Sequence, residues 1–186
     1  MKSSTLIYLR LAVGTLLLCA LAPFAINLAI LSPITLQSLM IILIPMLIGW
    51  RSGVMVTILY LLIGAAGLPV FANFNSGLAP FTGTSAGFLW GFPVVAFVAG
   101  RFGARGPAGY LPTLLLFLGC HLLLMLMGVI GFAVAGLTTQ QILSTVTGLL
   151  PGLLIKSMLG ALIVYLFRNQ YHLKLQKSLA SVIRRR

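Results

Sequence analysis

The sequence predicts an all-α integral membrane protein of six transmembrane helices, and three observations carry that prediction. Hydrophobic residues make up 60% of the 186-residue chain and charged ones only 6%, far outside the soluble globular range. Several apolar runs approach the ~20 residues with which a helix crosses a bilayer. Those runs lack the two-residue alternation of barrel strands, and backbone exposed to lipid must be either helical or closed into a barrel.

Charge and motif content narrow the function. The chain carries twelve Lys and Arg, no Asp and no Glu, for a net charge of +12. Nucleic acid is not the expected partner, because basic residues at span ends orient inner-membrane proteins generally. The expected surroundings are a lipid bilayer. Cys19 and Cys120 lie inside apolar runs and read as small packed residues. His121 reads as a packed or hydrogen-bonded helix residue. No metal set, cofactor motif, phosphate-binding lysine loop or nucleophile elbow is present, so no enzyme is expected.

In chain order, residues 6–31 read as a retained first span, kinked near Pro23 and ended by Ser32-Pro33. The second span covers about 36–49, a tight polar turn about 49–53, and the third span about 53–68. Residues 69–85, with Asn73, Asn75 and interspersed phenylalanines, are too broken for a span and read as a structured loop over the helix ends. The fourth and fifth spans cover about 86–100 and 110–135. Residues 137–148 are polar enough for a short interfacial helix or loop, and the sixth span covers about 149–168. A basic tail, 169–186, follows the 1–168 transmembrane domain, with Leu173, Leu175, Leu179 and Val182 at roughly helical spacing. It reads as a surface helix on anionic lipid.

The basic residues check this partition independently. Lys2 and Arg10, then Arg51, then Arg101 and Arg105, then the six from Arg168 to Arg186 fall at alternate connections. The opposite connections, 31–36, 69–85 and 136–148, contain none. With six spans, every basic end lies on one side, which predicts cytoplasmic termini in a bacterial plasma membrane.

The twelfth cation is Lys156, inside the sixth span. An ammonium at membrane depth costs at least a few kcal/mol uncompensated, and no carboxylate of the chain can compensate it. It is neutral, lies in a wet cavity, or pairs with an anion from outside. At five residues past Pro151 it lies about 8 Å below the outer end of its span. The 69–85 loop and Pro33-Ile34-Thr35-Leu36-Gln37 converge on the same end, which suits a small anion with an apolar body.

These segments are similar to a known family. The run 33–37, the block Gly64-Ala65-Ala66-Gly67-Leu68-Pro69-Val70-Phe71, the run Gly83 to Phe92 and the segment Pro151 to Lys156 resemble the biotin-specific S-component (BioY) family of energy-coupling-factor (ECF) transporters. The resemblance covers about 31–160. It implies an S-component-like six-helix bundle that captures biotin at its outer face and delivers it inward, energised by separate ATPase subunits and a transmembrane coupling subunit where these are present. It also implies that Lys156 meets the ligand carboxylate and that Asn75, with Asn73 behind it, supplies polar contacts. The apolar ligand body would lie by Phe71 and Phe88. With Gln37 and Gly152 these form the candidate ligand-binding set.

Two positions depart from the family pattern. An acid two residues after the proline, implied to help hold the ureido ring, is replaced by Leu153. The small-residue repeat through which the first helix docks on the coupling subunit holds at Thr15 and Cys19 but breaks at Pro23, which leaves a solitary role open. Plainer readings stand beside the functional ones: Lys156 snorkelling to headgroups, asparagines capping turns, Gln37 capping a helix, and Gly64, Gly67, Gly87 and Gly91 permitting close helix approach. The rival functions are an S-component for another small anionic vitamin and a non-transporting membrane scaffold.

Overall fold

The computed structural model describes residues 3–28, 31–104 and 109–183. Of the basic residues used to orient the spans, Lys2, Arg105 and Arg184 to Arg186 lie outside them. Six helices form the body: α1 (Ser3–Leu21), α2 (Leu36–Ile48), α3 (Trp50–Ala65), α4 (Ala86–Gly103), α5 (Tyr110–Val134) and α6 (Thr139–Ile183). Three of them, α4, α5 and the Thr139–Gln170 part of α6, are long and apolar enough to cross a membrane; α1, α2 and α3 are shorter apolar helices.

α1 ends earlier than the sequence reading expects. Pro23 terminates it instead of kinking it, since the residue before a proline is pushed out of helical geometry. The chain then forms an antiparallel hairpin of β1 (Ala25–Leu28) and β2 (Leu31–Thr35), with Ala25 opposite Thr35 and Ile26 opposite Ile34. In a two-stranded ribbon Pro33 has no interior ladder to break. β2 packs on α6 and leads directly into α2.

The turn between α2 and α3 is a single residue. Gly49, at φ 90°, closes α2 by donating its N–H to Pro45 O (2.8 Å) and opens α3 by accepting from Gly53 N–H (2.9 Å). A side chain at that positive φ would be strained. At the other end, residues 66–85 carry two short 3-10 turns, Ala72–Phe74 and Ala79–Phe81. The segment is tied to the end of α1 by Asn73 N–H donating to Pro23 O (2.9 Å).

α6 also departs from expectation. It begins at Thr139, so 139–148 are its first turns and form neither a loop nor a separate helix. The Thr138 N–H donates to Gln141 Oε1 (2.9 Å) while Gln141 N–H donates to Thr138 Oγ1 (3.4 Å). This reciprocal pair is a capping box, which sets a helix start. The 45-residue helix is about 68 Å long, more than twice the ~30 Å hydrocarbon core. The side chains of the 171–183 segment, including the apolar spacing noted there, are outside the description.

α4 packs on α2, α3 and α5, α6 on α5 and α2, and α1 on α3 and α2. Ile41, Ile42, Tyr60, Val95, Ala99, Phe117 and Val164 are fully buried between them. Leu111, Leu115, Leu122, Leu126 and Ile130 form an exposed stripe along α5, as suits a helix face turned to lipid. α4 and α5 cross backbone to backbone: a Cβ on Gly87 would sit 2.1 Å from Met127 O, and one on Gly131 would sit 2.5 Å from Gly87 N. On α6, Arg168 donates to Met46 O and Gly103 O at the C-terminal ends of α2 and α4. There it satisfies carbonyls that a helix end leaves open.

The α4–α5 crossing yields a stability prediction. Gly87→Ala should destabilise the protein by about 1–3 kcal/mol, the usual cost of overpacking, read as a lowered midpoint of thermal unfolding in detergent. Gly119→Ala, whose Cβ would meet nothing within 4 Å, should leave that midpoint unchanged or raise it.

Candidate functional site

The first turn of α2 carries two polar side chains inward. Gln37 and Ser38 are buried in a helix whose next eight residues are buried too. Gln37 Nε2 donates to Tyr60 Oη (2.7 Å), and Tyr60 Oη donates to Val70 O (2.9 Å). This relay joins α2, α3 and the 66–85 segment through fully buried Tyr60. Buried hydrogen bonds of this kind fix geometry because each partner would be costly to leave unmade.

Lys156 comes from α6 and is only 8% exposed. Its Nζ donates to Ser38 Oγ across the α2–α6 contact, at 2.8 Å. One residue on, Ser157 Oγ lies 2.9 Å from His121 Nδ1, which is also 3.1 Å from Phe117 O. His121 Nε2 is buried with no hydrogen-bond partner among the described residues.

These groups face a cavity of about 250 Å³. Gln37, Ser38, His121 and Lys156 line it, with Asn73, Asn75, Thr35 and Ser85 as further polar lining. The apolar lining comes from α4 (Phe88, Leu89, Phe92), α5 (Leu124, Met125) and α6 (Leu149, Leu153). Lys156 is the one charged residue among them. A small molecule with an anionic end and an apolar body matches this lining: the ammonium takes the charge, the amides and hydroxyls orient the head, and the carbon walls cover the rest.

Five residues of the predicted set therefore line one cavity: Lys156, Asn75, Asn73, Gln37 and Phe88. The structure does not bring Phe71 or Gly152 to that lining. Phe71 is buried elsewhere, edge-on to Tyr60 and Phe81 at 5.5 and 5.7 Å and stacked over Gly64. Gly152 is buried within α6, one position short of the cavity-lining Leu153.

The asparagines also do what turn residues do. Asn75 Nδ2 donates to Ala72 O (3.2 Å), and Asn73 sits in the left-handed region at φ 56°, where Asn is among the more tolerant residues. Ser38 and His121 were not among the predicted site residues. The available signal was their polarity inside apolar helices, which at membrane depth points to a site by default.

Comparison with known proteins gives this geometry a context. A sequence profile described as the BioY family matches residues 1–173. "Biotin transporter BioY" of Rhizobium etli is 34% identical over 147 residues, 70% of this chain and 75% of that one. "Probable biotin transporter BioY" of Pyrococcus horikoshii is 37% identical over 83 residues, 45% of this chain, and the match spans about half (50%) of that relative's length. A crystal structure of the S-component for biotin from an ECF-type ABC transporter superposes with a TM-score of 0.63 over 91% of this chain and 95% of that one. At 23% sequence identity, that likeness carries the fold. The chain belongs to the BioY family, a multi-pass membrane protein family.

Proposed function

We propose that this chain is a biotin-capturing S-component, with the cavity around Lys156 as its ligand site. The observation that carries the reading is the environment of that lysine: buried, bonded to one neutral hydroxyl, and facing a cavity in a chain without a single Asp or Glu. A ligand carboxylate supplies the missing anion. Ser38 holds the ammonium in place to receive it. Phe88, Phe92 and Leu153 cover the apolar body, and Gln37, Asn73, Asn75 and His121 offer hydrogen bonds to the head. The names of the relatives support biotin as the ligand.

In this reading all six helices span the membrane, with the short α1, α2 and α3 completing the bundle, and 1–168 act as the substrate-binding domain ahead of a basic tail. Alternate connections carry the basic residues, which supports cytoplasmic termini. The cavity then opens outward, beneath the hairpin and the 66–85 segment. The chain contains no nucleotide-binding motif, so ATP-driven turnover would need separate ATPase subunits and a coupling subunit.

Leu153 favours one second reading. It stands on the cavity wall where the family pattern has an acid, so the ligand head could belong to a different small anionic vitamin. Equilibrium binding of labelled biotin to the purified protein in detergent, with the anionic vitamins pantothenate and nicotinate as competitors, separates the two. Tight binding that resists both competitors is expected; displacement by either would move the assignment to that vitamin.

Two substitutions probe the site itself. Lys156→Ala should weaken biotin binding by roughly 1.5–3 kcal/mol, the worth of a charge-assisted hydrogen bond; unchanged affinity would remove Lys156 from the site. Tyr60→Phe breaks the relay to Val70 O and should cost about 1 kcal/mol of stability. It should also weaken biotin binding by loosening Gln37 and the loop, as measured by calorimetric titration alongside thermal unfolding.

A further inference from the structure

About 20 Å along α2 from the biotin cavity, at the helix's other end, lies a second cavity of about 680 Å³. Three arginines from three different helices line it: Arg10 of α1, Arg51 of α3 and Arg101 of α4. Ile7, Ile48 and Met55 supply carbon surface beside them.

The backbone brings these arginines together. Gly49 reverses the chain in one residue, so α3 starts with Trp50 and Arg51 at the end of α2. α4 touches that turn with its own backbone: a Cβ on Gly100 would fall 2.5 Å from Trp50 Cα and 2.6 Å from Trp50 N. The residues next to this contact, Arg51 and Arg101, therefore share one cavity. The Trp50 ring is locked edge-on against Phe97 at 5.4 Å and supports the Arg51 guanidinium, 5.3 Å from its centroid.

Aromatic faces steady a guanidinium without neutralising it. No Asp or Glu exists in the chain to do so. The first turn of α3 adds backbone N–H groups that a helix start leaves open, together with the positive end of its dipole. The three guanidiniums stand exposed around one cavity, free to meet an anion from outside, and guanidinium forks match phosphate oxygens. The apolar lining decides between anions. Free phosphate has no use for Ile7, Ile48 and Met55, whereas a phospholipid brings glycerol and acyl carbon to the same place as its phosphate. The cavity also sits at the ends of α2 and α4, where apolar helix meets headgroups.

We propose that Arg10, Arg51 and Arg101 form a headgroup site for an anionic phospholipid, seated in the cavity between α1, the α2–α3 turn and α4. The site depends on the membrane setting of the fold and not on which vitamin the other cavity takes.

The test is native mass spectrometry of the full chain released from micelles carrying phosphatidylglycerol or phosphatidylcholine. A basic residue near an anionic membrane surface is worth about a fivefold change in affinity. The Arg51→Gln/Arg101→Gln variant should thus retain phosphatidylglycerol about 25-fold less well than the unaltered protein. Arg10→Gln, which leaves the α2–α4 contact untouched, should lose about fivefold and covers the case in which the double variant does not fold. Lys174→Gln/Lys177→Gln removes equal charge from the tail and should change retention less than twofold. Millimolar inorganic phosphate should not displace the lipid. Equal loss in the tail variant would reduce the effect to diffuse attraction and overturn the site. Displacement by inorganic phosphate would make it a free-anion site. Equal retention of the two lipids by the unaltered protein would show no preference for an anionic headgroup and would overturn the proposal.

Discussion

One buried ammonium governs the candidate site. Lys156 lies in the α2–α6 contact with Ser38 as its hydrogen-bond partner, in a chain that offers it no carboxylate. A charge removed from water is tolerated when it is paired and hydrogen-bonded. Here the hydrogen bond is internal and the counter-charge is not. On the proposed reading, such a site holds a cation in readiness and leaves the anion to the ligand.

The surrounding structure keeps that ammonium where it is. α2 supplies Gln37 and Ser38 from one turn, and the Gln37–Tyr60–Val70 relay anchors that turn to α3 and to the loop bearing Asn73 and Asn75. The loop is tied again at Pro23 O. On the far side, the Gly87–Gly131 crossing draws α4 and α5 together, and Phe88, Phe92, Leu124 and Met125 line the cavity from those helices. A rigid frame of this kind lowers the ordering cost of binding.

Much of this could be read from the residues. The six apolar runs locate the six helices, because burial in lipid or core demands long unbroken apolar stretches. The lone lysine among them locates the cavity, because its cost at membrane depth has no cheap internal remedy. The boundaries that misled were set by short-range devices. The Thr138–Gln141 capping box starts α6 within a stretch whose polarity looks like a loop. Pro23 ends α1 where a proline inside a membrane helix is equally able to kink it. The hairpin at 25–35 has no turn signature distinct from the end of an apolar span. Within the loop, nothing local tells Phe71, which turns into the core against Tyr60, from a residue turned to the cavity. Ser38 was masked by its neighbour Gln37, and His121 by a plausible packing role; both gain meaning only when α2, α5 and α6 come together.

The most direct test of the central interaction compares biotin with its neutral carboxamide, at equilibrium, on the unaltered protein and on Lys156→Met. The carboxamide keeps the ring and the chain and removes only the charge. Biotin should bind the unaltered protein about 10- to 100-fold more tightly than the carboxamide, the ratio that a charge-assisted hydrogen bond supports. The two should bind the variant alike. Equal affinities on the unaltered protein would contradict the account, because the buried ammonium would then have no part in choosing the ligand.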